Sequence, residues 1–136
     1  MRKATITHIS IKVRDIEKSR RFYRKLCAAL GMKEVRSSEN GFAYANGAFS
    51  IWVSKAKDTT KHSRGIVGYD HVAFGASSRK QIDDLQKMLR REKFRILYPA
   101  EEHPEFAPGY YSLSFFDPDG TIMEILHLPK GKNSYG

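Results

Sequence analysis

A six-residue pattern that begins with histidine occurs twice in this chain, at His8-Ile9-Ser10-Ile11-Lys12-Val13 and at His71-Val72-Ala73-Phe74-Gly75-Ala76, an offset of 63 residues. Both copies alternate side-chain character at period two, as half-buried strands do. A repeated unit settles architecture more firmly than propensity, because each copy must build the same elements. After each strand comes a polar link and a helical pattern, over residues 16–30 and 79–91. Asp15 and Ser78 suit the N-caps and Gly31 a C-terminal stop. Ile82, Leu85, Met88 and Leu89 fall on one helical face by their spacing of three and four, and that face should cover a sheet. Three further strands are expected in each half. The first half places them at 33–37, 41–45 and 48–54, with Asn46-Gly47 as a hairpin turn. The second places them at 94–98, 110–116 and 121–127, with Asp117-Pro118-Asp119-Gly120 as the turn. The expected fold is α+β, two β-α-β-β-β modules at 1–54 and 69–128. Residues 55–68 would link them and 129–136 would form a tail.

The 136 residues suit one compact domain or two half-size modules, and 40% hydrophobic with 12% aromatic residues is ample material for a packed interior. Every apolar run is shorter than the roughly 18 residues that a membrane-spanning helix needs. The start, Met1-Arg2-Lys3-Ala4-Thr5, leads into a strand with no secretory core, so a cytoplasmic location is expected and no membrane partner. Cys27 is the only cysteine, which excludes an internal disulfide, and its helical position reads as a packed thiol. The net charge of +9 is spread over helices and loops, as in Arg20-Arg21 and Arg90-Arg91, with no nucleic-acid motif around it. A solvated basic surface that steers an anionic substrate is expected, and no specific nucleic-acid partner.

Strand parity separates the candidate ligands from the core. Ile9, Ile11 and Val13 share the helix side of the first strand, whereas His8, Ser10 and Lys12 share a face too polar for ordinary core. The same parity leaves His71 and Ala73 opposite Val72 and Phe74, and sets Glu124 opposite Met123 and Ile125. Two imidazoles and a carboxylate form a ligand set suited to one divalent ion, Zn, Ni, Mn, Fe or Co, with positions open for substrate. Taken singly, each of these residues reads as a hydrogen-bonded histidine or an edge carboxylate; their repeat-related placement favours a shared site. His103 and Tyr110, in a loop stiffened by Pro104, Pro108 and Gly109, are expected substrate contacts. Ser10, Tyr44, Phe49 and Trp52 are expected to line the same cleft, although aromatic residues on short strands also serve as core. His62 and His127 read as bystanders.

These features resemble the vicinal oxygen chelate superfamily, which includes glyoxalase I, extradiol dioxygenases, fosfomycin-modifying thiol transferases and bleomycin-resistance proteins. The resemblance spans about residues 5–128. It is carried by the segment from His8 to Asp15, Phe22-Tyr23, Leu30-Gly31, Asp70-His71-Val72-Ala73-Phe74, and Phe116-Asp117-Pro118-Asp119-Gly120-Thr121-Ile122-Met123-Glu124. It implies that the two modules pair in a curved mixed sheet around a metal cleft, with the metal on His8, His71 and Glu124 and with Glu124 also moving a proton. It implies a small oxygen-rich substrate turned over by glyoxalase-like lyase or isomerase chemistry or by thiol transfer. The alternatives are a non-catalytic small-molecule or antibiotic-binding resistance protein, then an extradiol dioxygenase. Counting four residues from Gly47, as Glu124 follows Gly120, reaches Ile51, which has no donor atom where glyoxalase I supplies a fourth ligand. Ser114 stands where ring-cleaving enzymes carry Tyr, and Glu105-Phe106-Ala107 occupies the window of their further His. The binding of a cationic drug fits a chain of charge +9 poorly. The resemblance also implies a homodimer, since these clefts are often built from modules of paired chains; this length equally allows both modules of one chain to close the cleft.

Overall fold

The computed structural model describes residues 4–60, 65 and 67–129, and the chain divides into two compact units, Met1–Lys61 and His62–Gly136. In the first, strand β1 (His8–Val13) leads into helix α1 (Ile16–Ala29), followed by β2 (Lys33–Ser38), β3 (Gly41–Ala45) and β4 (Ser50–Lys55). In the second, β5 (His71–Gly75) leads into α2 (Arg79–Arg91), then β6 (Ile96–Glu102), β7 (Tyr111–Phe116) and β8 (Ile122–His127). Each unit is a β-α-β-β-β module with its own four-stranded mixed sheet, ordered β1-β4-β3-β2 and β5-β8-β7-β6. The first and last strands of each module pair in parallel and the rest are antiparallel. No helix among the described residues is long and apolar enough to cross a membrane. The expected linker falls partly, and the tail mostly, outside the described residues.

Both helices start as the sequence predicts. The Asp15 carboxylate accepts from the Lys18 backbone N–H at 3.0 Å and the Ser78 hydroxyl from that of Gln81 at 3.2 Å, which satisfies amides that the first turn leaves unpaired. Their ends share one geometry from different residues. Gly31 (φ 71) ends α1, and the Met32 N–H donates to the Cys27 carbonyl at 2.8 Å; Lys93 (φ 61) ends α2, and the Phe94 N–H donates to the Leu89 carbonyl at 2.9 Å. Residues 92–94 are therefore consumed in stopping the helix, so β6 begins at Ile96 rather than at the expected 94 and continues to Glu102. Its pairing with β7 is interrupted twice, and Pro99 lies in the irregular stretch, where a missing N–H is tolerated on an edge strand.

The helix-facing sides of the sheets form the cores. On α1, Ile16, Phe22, Tyr23, Leu26 and Cys27 are buried, and the Tyr23 ring meets Phe42 at 6.0 Å between centroids. On α2, Ile82, Leu85 and Leu89 are buried, as are Leu113, Phe115, Met123 and Ile125 on β7 and β8. Each large side chain removed from water contributes about 1.5–3 kcal/mol. Tyr44, expected at the cleft, belongs instead to this core: it pairs with Ile51 on the helix side of β3 and β4 and is 4% exposed. Trp52 pairs with Ala43 on the opposite face and is 40% exposed, so the two aromatics cannot line one surface.

Two outcomes are expected. A Cβ at Gly41 would lie 2.6 Å from the Val53 carbonyl oxygen, which is backbone and cannot swing aside. Gly41→Ala should lower stability by about 1–3 kcal/mol, read as a lower denaturation midpoint. Burial pushes the Cys27 thiol up to about 12, so it stays protonated at neutral pH. Ellman's reagent should leave it untouched in the native protein and titrate it fully in denaturant; ready native reaction would contradict its packing.

Candidate metal centre

Parallel pairing of the first and last strands sets which polar side chains stand together on the open face of each module. In the second, Ala73 pairs with Glu124 and His71 with Ile122, so the two polar side chains lie diagonally on the face away from α2. His71 Nε2 and Glu124 Oε2 are 3.2 Å apart. On its far side the imidazole Nδ1 is 2.7 Å from Asp70 Oδ2. A carboxylate accepts only, so Nδ1–H donates to Asp70, while Nε2 on the other side of the ring faces Glu124 Oε2. Two acceptors at that separation require a proton or a metal cation between them. Two ligand atoms each about 2.1 Å from one ion stand about 3.0–3.4 Å apart at octahedral to tetrahedral angles, so the observed spacing fits a shared cation. The partner held by Asp70 is the usual arrangement behind a metal-binding histidine.

Glu124 is only 12% exposed at its side chain, and its second oxygen, Oε1, accepts a hydrogen bond from the Tyr110 hydroxyl at 2.7 Å. Ser114 pairs with Glu124 across β7 and β8 and carries a hydroxyl on the same face. Phe106 stacks on His103 with centroids 5.4 Å apart and stands edge-on to Tyr110 at 5.4 Å. The His103 Nδ1 lies 2.9 Å from Glu105 Oε1, and this contact holds the Glu105 carboxyl below its ordinary range. His127 donates from Nδ1 to the Ala76 carbonyl at 3.2 Å. His62 lies outside the described residues.

The first module repeats the frame with different side chains. His8 pairs with Ser50, Ser10 with Trp52, and Lys12 with Ser54. Register therefore places Trp52, not Ile51, at the position of Glu124; counting from the turn glycine fails because β4 begins one residue later after its turn than β8 does. Indole offers no metal donor, so the fourth ligand is lacking for a different residue than the count gave. The Trp52 Nε1–H donates to Ser50 at 3.0 Å, the Lys12 ammonium to Ser54 at 2.8 Å, and the His8 Nδ1 lies 3.1 Å from the Thr7 hydroxyl oxygen. Of the expected ligands, the structure joins His71 to Glu124 within the second module, and His8 stands at the matching strand start of the first. Among the described residues no cluster of three His, Cys, Asp or Glu gathers tightly enough to hold an ion. The contribution of Asp70 was not assigned from sequence; a carboxylate directly before a ligand-type histidine at a strand start is the signal that points to it.

The comparisons agree with this architecture. The chain is 33% identical over 124 residues to the uncharacterized protein YqjT of Bacillus subtilis (strain 168), covering 88% of this chain and 95% of that protein. A crystal structure from Bacillus halodurans, provisionally assigned as a glyoxalase, superposes with a TM-score of 0.80 at 29% identity, over 93% of this chain and 97% of that one. The genomically encoded fosfomycin resistance protein FosX of Listeria monocytogenes shares the fold with a TM-score of 0.71 at 17% identity, over 95% and 97% of the two chains. The profile described as the Glyoxalase/Bleomycin resistance protein/Dioxygenase superfamily matches residues 5–125, and with its two β-α-β-β-β modules, each opening on a strand-start histidine, the chain belongs to that superfamily.

Proposed function

We propose that this protein is a metal-dependent enzyme that holds one divalent ion on His8, His71 and Glu124 and transforms a small, oxygen-rich substrate by lyase, isomerase or thiol-transfer chemistry. The observation that carries the reading is His71 Nε2 standing 3.2 Å from Glu124 Oε2 with Asp70 behind the ring, a spacing that suits two ligands of one cation. Zn, Ni, Mn, Fe and Co all accept two imidazoles and a carboxylate. Such an ion, when bound, polarises a substrate oxygen and stabilises the charge that develops on it.

The remaining work falls to side chains. Asp70 fixes the His71 ring and its tautomer. Glu124 is a half-buried carboxylate that can take a proton from a substrate carbon or return one. Ser10, Trp52, His103 and Tyr110 are the contacts that would orient the substrate, the exposed indole offering a flat apolar surface. Charge adds a preference for anions. Residues 1–61 carry fourteen Lys or Arg against five Asp or Glu, whereas residues 62–136 carry ten of each, so the whole excess lies in the first unit. A field of that sign raises the encounter rate of an anionic substrate and is screened by salt.

Protein stripped with chelator should take up about one Mn(II), Co(II), Ni(II) or Zn(II) per chain by calorimetry, and His8→Ala, His71→Ala and Glu124→Gln should each weaken uptake at least about tenfold. Uptake below about 0.1 equivalent in the unaltered protein would leave a non-catalytic binder as the better reading. Turnover should be sought across methylglyoxal-thiol adducts, epoxides and catechols with each metal. For an anionic substrate, kcat/KM should fall as NaCl is raised; a rate indifferent to salt would remove the steering role.

A further inference from the structure

We infer that Tyr110 is a positioning residue for Glu124, holding one carboxylate oxygen so that only the other is presented on the His71 side; the inference rests on the metal reading given above. The Tyr110 hydroxyl donates to Oε1 at 2.7 Å while Oε2 lies 3.2 Å from His71 Nε2, so the two oxygens of one carboxylate have separate tasks. That distance is the usual length of a well-formed O–H···O hydrogen bond. A carboxylate left free can swing to bind an ion through both oxygens, which would occupy a coordination position otherwise open to substrate. Tyr110 opposes that swing.

The segment before β7 is built to keep the phenol in place. The His103 N–H donates to the Tyr110 carbonyl at 2.8 Å, and the Tyr110 N–H donates to the Ala107 carbonyl at 3.1 Å, so its backbone is tied on both sides. The Phe106 N–H donates to the His103 carbonyl at 3.0 Å, closing the loop on itself. Gly109 takes φ 81, and a Cβ there would stand 2.8 Å from Pro129 Cγ, so the chain passes where only glycine fits. The rings of His103 and Phe106 then flank the Tyr110 ring at 6.3 and 5.4 Å. A phenol tethered this way loses little conformational freedom when it donates to Glu124.

Tyr110→Phe keeps the flanking ring packing and deletes only the hydroxyl. Expected for it is a ten- to hundredfold weaker affinity for Co(II), the range for loss of an outer-shell partner. A changed Co(II) absorption spectrum should accompany that loss as Glu124 engages through both oxygens. Tyr111→Phe is the control, since the Tyr111 hydroxyl donates to Asp83 on α2 at 2.7 Å; it should bind Co(II) as the unaltered protein does. Equal Co(II) affinity and identical spectra for Tyr110→Phe and unaltered protein would overturn the inference while leaving the metal site standing. An unaltered protein that binds no Co(II) would overturn both. A loss of affinity in Tyr111→Phe as large as that in Tyr110→Phe would assign the effect to general loosening of β7, and would also overturn it.

Discussion

Parallel pairing of the first and last strand in each module is the constraint on which the rest depends. In a parallel ladder, partners across the pair face the same side, so one register fixes which side chain accompanies each strand-start histidine. With Ala73 opposite Glu124, a small side chain leaves room for the imidazole of His71 to reach the carboxylate diagonally. A slip of one residue would turn Glu124 into the core and Met123 out of it, at the cost of burying a charge and exposing a fully buried methionine. The hydrophobic pattern of β8 thus enforces the position of a polar group that contributes nothing to the hydrophobic core.

The two modules keep one backbone plan and divide the chemistry unequally. Both begin with histidine, yet the site opposite the second residue after it is Trp52 in one and Glu124 in the other. The excess positive charge lies wholly in the first unit, and the carboxylates around His71 lie in the second. The divergence leaves the first module with a flat aromatic surface, 40% exposed, where the second carries a carboxylate. At the position where the resemblance to glyoxalase I implies a fourth ligand, register places Trp52 rather than the Ile51 reached by counting from Gly47.

Helix caps, strand alternation and the repeat were legible in the sequence because each is a local signal. Asp15 and Ser78 cap as expected, and the faces of His8, His71 and Glu124 follow from parity alone. Signals were misread where a local rule met a tertiary choice. Lys93 takes a left-handed conformation that sequence would assign to glycine, which delays β6. Tyr44 is amphipathic enough for a cleft or a core, and only its partner across the ladder, Ile51, decides for the core.

The sequence by itself determined two β-α-β-β-β modules and the sheet face that bears each polar strand residue, since period and turn chemistry are written along the chain. It determined that Glu124 and His71 share a face. Only the tertiary structure decided that Nε2 and Oε2 meet at 3.2 Å, that Asp70 holds the ring from behind, and that Tyr110 reaches Oε1 from a loop fourteen residues before it. Those contacts depend on register, rotamer and loop closure, which arise from packing between distant segments and leave no periodic trace in the chain.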